Sequence, residues 1–262
     1  MIRKIDIEAS APIILLAVAR SGSSLLRSLL TTHPEVRLLE SSLIGKIIKA
    51  YPELKETQLT PNQSLLAQAR QTIIEAFQNA SMEDPDMGIL HKKCVTRWGF
   101  TVHQIEDPMT LRLLNLGFPN AKWIHLVRDG RAVAASWMDN WELATGEKTQ
   151  PDLKTALQTW IQSTQNVENG PVHHRIRLED LTSMKIRQSC FEKLLDYLDI
   201  AISPRQQAFL EAWPPINTAR SGKNLAKRTF SAEQRSVFGK SSDLENALDF
   251  FGYNILVDQK AL

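Results

Sequence analysis

The stretch PIILLAVARSGSSLLRSLL, residues 12–30, decides the fold class of this chain. An apolar run from Pro12 to Val18 precedes a small polar turn, Arg20 to Ser24, and leucines then recur at helical spacing. The pattern predicts a buried strand, a tight loop and a helix whose first backbone N–H groups point into that loop. These N–H groups and the positive end of the helix dipole would form an anion site, although an ordinary strand-to-helix turn with a serine N-cap fits the same residues.

The first loop, residues 19–24, supplies the donors that an anion site needs. Gly22 lets the backbone approach a ligand closely, and the serine hydroxyls can donate further hydrogen bonds. The candidate residues for holding a phosphate-type group are Arg20, Ser21, Gly22, Ser23, Ser24 and Leu25, some of them through backbone N–H groups.

The composition of the whole chain is that of an ordinary globular protein. Its 262 residues are 43% apolar and 23% charged, and they suffice for one large domain, residues 1–262, with a buried core. The formal net charge of +2 gives no case for general nucleic-acid binding. The two cysteines, Cys94 and Cys190, lack metal-ligand spacing, and we expect free thiols in a reducing compartment and no metal site.

Neither a membrane span nor a secretion signal is expected. No apolar run approaches the ~20 residues that cross a bilayer. The N-terminal MIRKIDIEAS mixes acidic with apolar residues, unlike a signal peptide. We therefore expect a soluble, cytoplasmic protein that binds neither membrane nor nucleic acid.

Apolar runs alternate with helical patterns along the chain. The predicted strands are Pro12–Val18, Met87–Lys93, Ala121–Val127 and Val172–Leu178. The predicted helices are Ser23–Thr32, Asn62–Ala80, Asp107–Leu116, Gly130–Met138, Leu153–Val167, Arg187–Leu198 and Ala232–Phe251. This alternation predicts an α/β fold, a parallel-sheet core with helices on both faces. Ligands of such sheets bind at the carboxyl ends of the strands.

Two polar or helical excursions, residues 41–80 and 139–156, are candidates for lids over a substrate. Three tryptophans, Trp98, Trp137 and Trp141, lie in or near them. Their side chains form either the walls of an acceptor site or part of the core.

A second polar cluster follows the strand predicted at Ala121–Val127. Arg128 begins the second loop, residues 128–130, and Ser136 lies two helical turns further along. An arginine fork and a hydroxyl can hold a second phosphate-type group. The alternative is a surface ion pair between Arg128 and Asp129, with Ser136 an ordinary helix residue. Because both loops follow strands of one parallel sheet, we expect them at the same edge, where they would bind a ligand with two phosphates.

The two loops resemble those of sulfotransferases that use 3′-phosphoadenylyl sulfate (PAPS). The first resembles that family's PRSGTTLLRSLL element, with Ala19 in place of the proline. The second resembles FPNAKFIHLVRDGRAVAAS and matches over Phe118–Ser136. The resemblance implies a P-loop-like sulfotransferase architecture, with PAPS as cosubstrate at Arg20, the first-loop residues, Arg128 and Ser136.

Weaker landmarks of the same family follow downstream. Trp160 and Arg177–Leu181 resemble its W and YEDL landmarks, with Leu178 replacing the tyrosine, and Phe250–Ile255 resembles its final LGY helix. Lys223 and Lys227 resemble a basic tail segment that closes over the cosubstrate in the family, Lys223 more than Lys227.

The catalytic base has several candidates. The segment THPEVRLLESS, residues 32–42, resembles HPEVRCGEET of the tyrosylprotein sulfotransferases, but Ser41 stands at the position of their proposed base. Glu40 is then the adjacent carboxylate, and an ungapped alignment from Phe118 puts His103 where the family has a catalytic lysine. Lys93 also lies at the end of a predicted strand. We expect Arg20, Glu40 and His103 to be catalytic.

The leading hypothesis is an enzyme that moves a sulfuryl group from PAPS to a hydroxyl of a small molecule, a secondary metabolite. A carbohydrate or a peptide tyrosine is the alternative acceptor, and a non-catalytic nucleotide-binding module is a further alternative. A kinase is disfavoured because the residues 20–24 lack the GxxxxGK[ST] pattern.

Overall fold

The sheet of this protein consists, in the part of the chain that the structure describes, of five parallel strands in the order β2-β3-β1-β4-β5. The structure is a computed structural model that describes residues 11–39, 45, 63–83, 95–145, 152–213, 232–239 and 241–253. The strands are β1 (Ile13–Ala17), β2 (Val36–Leu39), β3 (Arg97–Val102), β4 (Lys122–Val127) and β5 (His173–Arg177).

Helices follow the strands along the chain. They are α1 (Ser23–Thr31), α2 (Gln63–Glu83), α3 (Pro108–Gly117), α4 (Gly130–Thr145), α5 (Leu153–Glu168), α6 (Leu178–Thr182), α7 (Arg187–Tyr197), α8 (Pro204–Ala212), α9 (Ala232–Phe238) and α10 (Ser242–Phe250).

Strand β1 is central and supplies side chains to two hydrophobic cores. Ile14 and Leu16 lie in one core with residues of α2 to α5 and α10, whereas Ile13 and Leu15 lie in the other with residues of α1 and α7. All five strand residues are buried, which explains the continuous apolar run, because both faces of a parallel sheet are covered by helices. The predicted α/β fold is confirmed.

Two strands differ from the prediction. The strand predicted at Met87–Lys93 lies outside the described residues, and β3 instead comprises Arg97–Val102. Strand β2 was not predicted at all. Gly99 weakens the strand pattern of β3, yet a Cβ there would collide with the carbonyl oxygen of Ile13. A glycine is needed because the backbone of β1 passes close by, and a local pattern does not reveal that.

The helix starts follow local chemistry. Asp107 caps α3 by accepting a hydrogen bond from the Met109 N–H at 3.0 Å, and Pro108 occupies the first turn, where its missing N–H costs nothing. The single helix predicted at Ala232–Phe251 is wrong. The chain forms α9 and α10 there, and Ser241 caps the second by accepting from the Leu244 N–H.

For Trp98 the structure decides between the two interpretations of the tryptophans. Trp98 is 1% exposed and its ring packs against Phe77, Phe100 and Phe118, so it belongs to the core and not to an acceptor wall. Phe77 lies on α2, which packs into that core, so this part of the first excursion is not a lid. The side chain of Trp141 lies outside the described residues.

A polar cluster around the buried His125 joins α5 to the sheet. The Glu168 carboxylate, near the end of α5, lies 2.8 Å from His125 Nδ1 on β4 and 3.1 Å from His173 Nε2 on β5. Arg175 donates to the other carboxylate oxygen at 3.3 Å. These are hydrogen-bond and ion-pair distances, so the cluster links the end of α5 to β4 and β5.

The structure contains no helix, among those it describes, that has both the length and the apolar character to cross a membrane.

Candidate active site

The first loop leaves the start of α1 open. Gly22 is the N-cap residue with φ of +90°, and no side chain caps the helix, so the serine N-cap interpretation is wrong. Leu25 and Leu26 donate their N–H groups to the Gly22 carbonyl at 3.0 and 3.2 Å. The N–H groups of Ser23 and Ser24 precede these bonds and are among the donors that a helix start leaves for a ligand.

The loop fits a phosphate-type group. The Ser21 hydroxyl is buried and has no hydrogen-bond partner within the described part of the chain. A Cβ at residue 22 would lie 2.6 Å from Leu178 Cδ1, and the positive φ of Gly22 also disfavours any other residue. The helix start, the unpaired hydroxyl and the glycine are the features that an anion-binding loop needs.

Arg20 adopts an uncommon backbone conformation. Its φ is +72°, in the left-handed region, which costs a non-glycine residue ~1–2 kcal/mol. Two contacts with the second cluster hold it there. Arg128 Nη1 donates to the Arg20 carbonyl at 2.8 Å, and Arg20 Nε donates to Ser136 Oγ at 3.2 Å.

The two loops are therefore bonded to each other at one edge of the sheet. Trp137 Nε1 adds a third hydrogen bond, to the Ala19 carbonyl at 3.0 Å. The strands that lead into the loops, β1 and β4, are hydrogen-bonded neighbours. The structure thus brings together the two clusters that the sequence predicts as phosphate sites.

The alternative interpretation of Arg128 does not hold. Asp129 pairs with Arg131 at 2.6 Å instead, and Arg128 is half-buried and bonded to the Arg20 carbonyl. Burial lowers the pKa of Arg128, and the negative charges of Glu179 and Asp129 oppose that shift. Ser136 is fully buried, so its hydroxyl acts on Arg20 in this structure and does not face solvent.

His103 directly follows the last residue of β3, and β3 is the strand adjacent to β1. Its Nε2 is 3.0 Å from Ser23 Oγ, which places the imidazole against the first loop. Burial lowers its pKa to about 4, and the positive charge of Arg27 adds to that shift. His103 is therefore neutral near pH 7 and can accept a proton.

Three other predicted residues lie outside the described part of the chain. They are Glu40, Lys93 and Lys223. Glu40 directly follows the last residue of β2, but nothing in the structure tests its part in the site.

Sequence reasoning missed the packing partners of the loops. The ring of Trp160 lies against Gly130, where a Cβ would be 2.5 Å from two ring atoms, and Leu178 lies against Gly22 in the same way. The downstream landmarks could have indicated these contacts, because Trp160 and Leu178 both belong to them.

Glu179 was missed as well. Its Oε1 accepts a hydrogen bond from the Asp129 N–H at 3.1 Å, and its Oε2 accepts one from the Tyr253 hydroxyl at 2.7 Å. The RLEDL landmark thus contacts the second loop, although its residues are far from that loop in sequence.

Comparison with known proteins agrees with these features. Residues 12–204 match the sulfotransferase family. A protein-tyrosine sulfotransferase of Drosophila melanogaster is 29% identical over 150 residues, which are 55% of this chain and 28% of that protein. The chain thus matches less than a third of the length of this relative.

Solved sulfotransferases share the fold. The sulfotransferase domain from the curacin biosynthetic pathway has a TM-score of 0.54 at 19% identity, covering 94% of this chain and 99% of that one. A mouse sulfotransferase complexed with PAP has a TM-score of 0.53 at 13% identity, covering 93% and 88%. With the family match extending over most of the chain, from β1 to the start of α8, these findings show that the chain belongs to the sulfotransferase family.

Proposed function

We propose that this protein transfers a sulfuryl group from PAPS to a hydroxyl of a small-molecule acceptor. The observation that carries the proposal is the pair of bonded loops at the carboxyl edge of β1 and β4. Two anion-binding loops that touch each other suit a ligand with two phosphates on one nucleoside, and the mouse relative is complexed with such a compound, PAP. PAPS would supply the sulfuryl group and leave as that bisphosphate.

The first loop would hold one phosphate and stabilise the charge that develops there. The N–H groups of Gly22, Ser23 and Ser24 and the guanidinium of Arg20 can donate toward the leaving oxygen. Donors fixed beforehand at such positions commonly contribute ~10²–10³ each to the rate. Arg20 is one such donor, because Arg128 and Ser136 already hold it in place.

The second loop would hold the other phosphate. Arg128 uses Nη1 for the Arg20 carbonyl, and a guanidinium has five N–H donors, so donors remain for a ligand. Ser136 is committed to Arg20, and we assign it the orientation of that arginine beside the cosubstrate. Lys223 would add a basic group from the tail.

His103 is our proposed base. The acceptor hydroxyl oxygen forms a bond to sulfur while the bond from sulfur to the bridging phosphate oxygen breaks, and the hydroxyl proton passes to the imidazole. The position of His103 against Ser23 supports this role, since it puts the ring at the loop where the transfer would occur. Its low pKa makes it a weak base in the free protein. Glu40 is the alternative base.

The acceptor class rests on the relatives. The domain from the curacin biosynthetic pathway supports a small-molecule acceptor, a secondary metabolite. The protein-tyrosine sulfotransferase of Drosophila melanogaster favours a second candidate, a peptide tyrosine.

We also propose a reducing, cytoplasmic setting, which the free thiol of Cys190 supports.

Two experiments test the proposal. Thermal-shift measurements with PAP, with AMP and with ATP plus magnesium should show the largest stabilisation with PAP. Stabilisation by ATP plus magnesium and none by PAP would indicate a kinase. Radiolabelled PAPS is then incubated with the protein and either a metabolite extract or a panel of tyrosine peptides. Label in a small molecule supports the main proposal, and label only in peptides supports the second candidate. PAP binding without any labelled product would indicate a non-catalytic nucleotide-binding module.

A further inference from the structure

We propose that Glu179 is a positioning residue, which together with Tyr253 fixes the second loop and makes the affinity for the second phosphate depend on residues 251–253, the segment that follows α10. The inference rests on the proposed function, because it concerns the loop that would hold that phosphate. Nothing in the transfer step itself requires Glu179.

Glu179 holds the backbone at the start of the loop. It lies on α6, immediately after β5, and β5 pairs with β4. Its Oε1 accepts from the N–H of Asp129 at 3.1 Å, and that N–H belongs to the peptide group joining Arg128 to Asp129. The carboxylate thus restrains the peptide unit from which the Arg128 side chain extends.

Tyr253 holds the other side of the same carboxylate. Its hydroxyl donates to Glu179 Oε2 at 2.7 Å, and the residue is 5% exposed. The Arg177 guanidinium lies 4.4 Å from the centre of the Tyr253 ring and donates to the Gly252 carbonyl at 3.1 Å. The segment after α10 is therefore fixed to the end of β5 and, through Glu179, to the second loop.

The charges agree with a positioning role. Arg128 is held away from bulk water, and Glu179 is the leading negative charge that opposes the burial-driven fall of its pKa. Burial raises the pKa of Glu179 itself, while its hydrogen bonds with Tyr253 and Asp129 oppose that rise. A half-buried carboxylate with two donors and a nearby cation is an oriented group, since moving it would break all three interactions.

The test compares PAP with AMP, which lacks the 3′-phosphate. The ratio of the dissociation constant of AMP to that of PAP measures the contribution of that phosphate alone. Tyr253→Phe removes one hydroxyl, and we expect the ratio to fall at least about threefold, in line with the loss of one hydrogen bond. Glu179→Ala should lower the ratio further. Glu179→Gln should restore most of it, because an amide can accept from Asp129 and donate to the tyrosine oxygen.

Tyr197→Phe is the matched control. Like Glu179, the Tyr197 hydroxyl accepts a backbone N–H bond, that of Trp123 at 3.2 Å, but Trp123 lies near the amino end of β4. Its loss should lower the melting temperature without changing the ratio. If Tyr253→Phe also changes only the melting temperature, or lowers the affinity for AMP and PAP equally, Glu179 and Tyr253 are merely structural and the inference is wrong.

The outcome for the unaltered protein separates the two proposals. If it binds PAP no more tightly than AMP, the proposed function fails before any variant is made. If it prefers PAP and the variants keep the full preference, the proposed function stands and only the positioning role of Glu179 is overturned.

Discussion

Arg128 supports the first loop through its bond to the Arg20 carbonyl, and in the proposed function it also binds the second phosphate. Arg128→Ala removes the bond to the Arg20 carbonyl, which helps to hold Arg20 at a positive φ. We expect the affinity for PAP to fall by ~1.5–3 kcal/mol, the usual contribution of a charge-assisted hydrogen bond. Isothermal titration measures it. Arg187→Ala is the control, because that arginine packs on Trp213 and, among the contacts of the described residues, has none with either loop. Equal affinity in the two variants would remove Arg128 from the site.

His103 offers a separate test of the chemistry. His103→Ala should slow turnover by ~10²–10⁴, the range for loss of a general base, and leave the affinity for PAP within about twofold. The unaltered enzyme should lose kcat/KM only as the pH approaches about 4, where the ring of the free protein becomes protonated. Steady-state rates between pH 4 and 8 decide this. If kcat/KM instead falls near the ordinary histidine pKa, and does so in His103→Ala as well, the base is another residue.

Two glycines allow other elements to pack onto the loops: Leu178 of α6 lies against Gly22, and Trp160 of α5 lies against Gly130. Gly130→Ala would put a Cβ 2.5 Å from the ring of Trp160, so α4 or α5 must shift. Although alanine favours a helix, overpacking should cost ~1–3 kcal/mol of the free energy of unfolding, measured by urea denaturation. The control is Gly117→Ala on α3, where the nearest atom is Leu66 Cδ1 at an ordinary 3.8 Å. Similar stability of the two variants would contradict the packing described here.

The elements also show which features a sequence predicts. Strand β1 and its loop are predictable because an apolar run, a short polar turn and a helical pattern follow one another. Strand β3 was not predicted because it contains a glycine, Gly99. That glycine is needed where the backbone of β1 passes close by, and β1 is distant in sequence. The hydrogen bond from Arg128 to the Arg20 carbonyl could not be predicted either. It depends on a left-handed backbone conformation at residue 20, which an arginine rarely adopts.

For the whole molecule, buried imidazoles should make the fold sensitive to acid. Burial lowers the pKa of His103, His125 and His174, so below pH ~6.5 these three side chains bind more protons in the unfolded chain than in the folded one. Their contribution to stability therefore falls as the pH falls. For His103 the window runs from its unfolded pKa of 6.5 to its folded value of about 4, and within it each pH unit costs about 1.4 kcal/mol.

His103→Asn isolates this contribution, because the other groups titrate in both proteins. Glu179, whose pKa is raised, gives the opposite slope above the ordinary carboxyl pKa, but it does so equally in the two. Urea denaturation at pH 7, 6 and 5 should show the variant losing about 1.4 kcal/mol less per pH unit below pH 6. Parallel curves would mean that the imidazole is solvated in the folded protein, and a solvated ring would not lie against Ser23, which would also undermine its role as base.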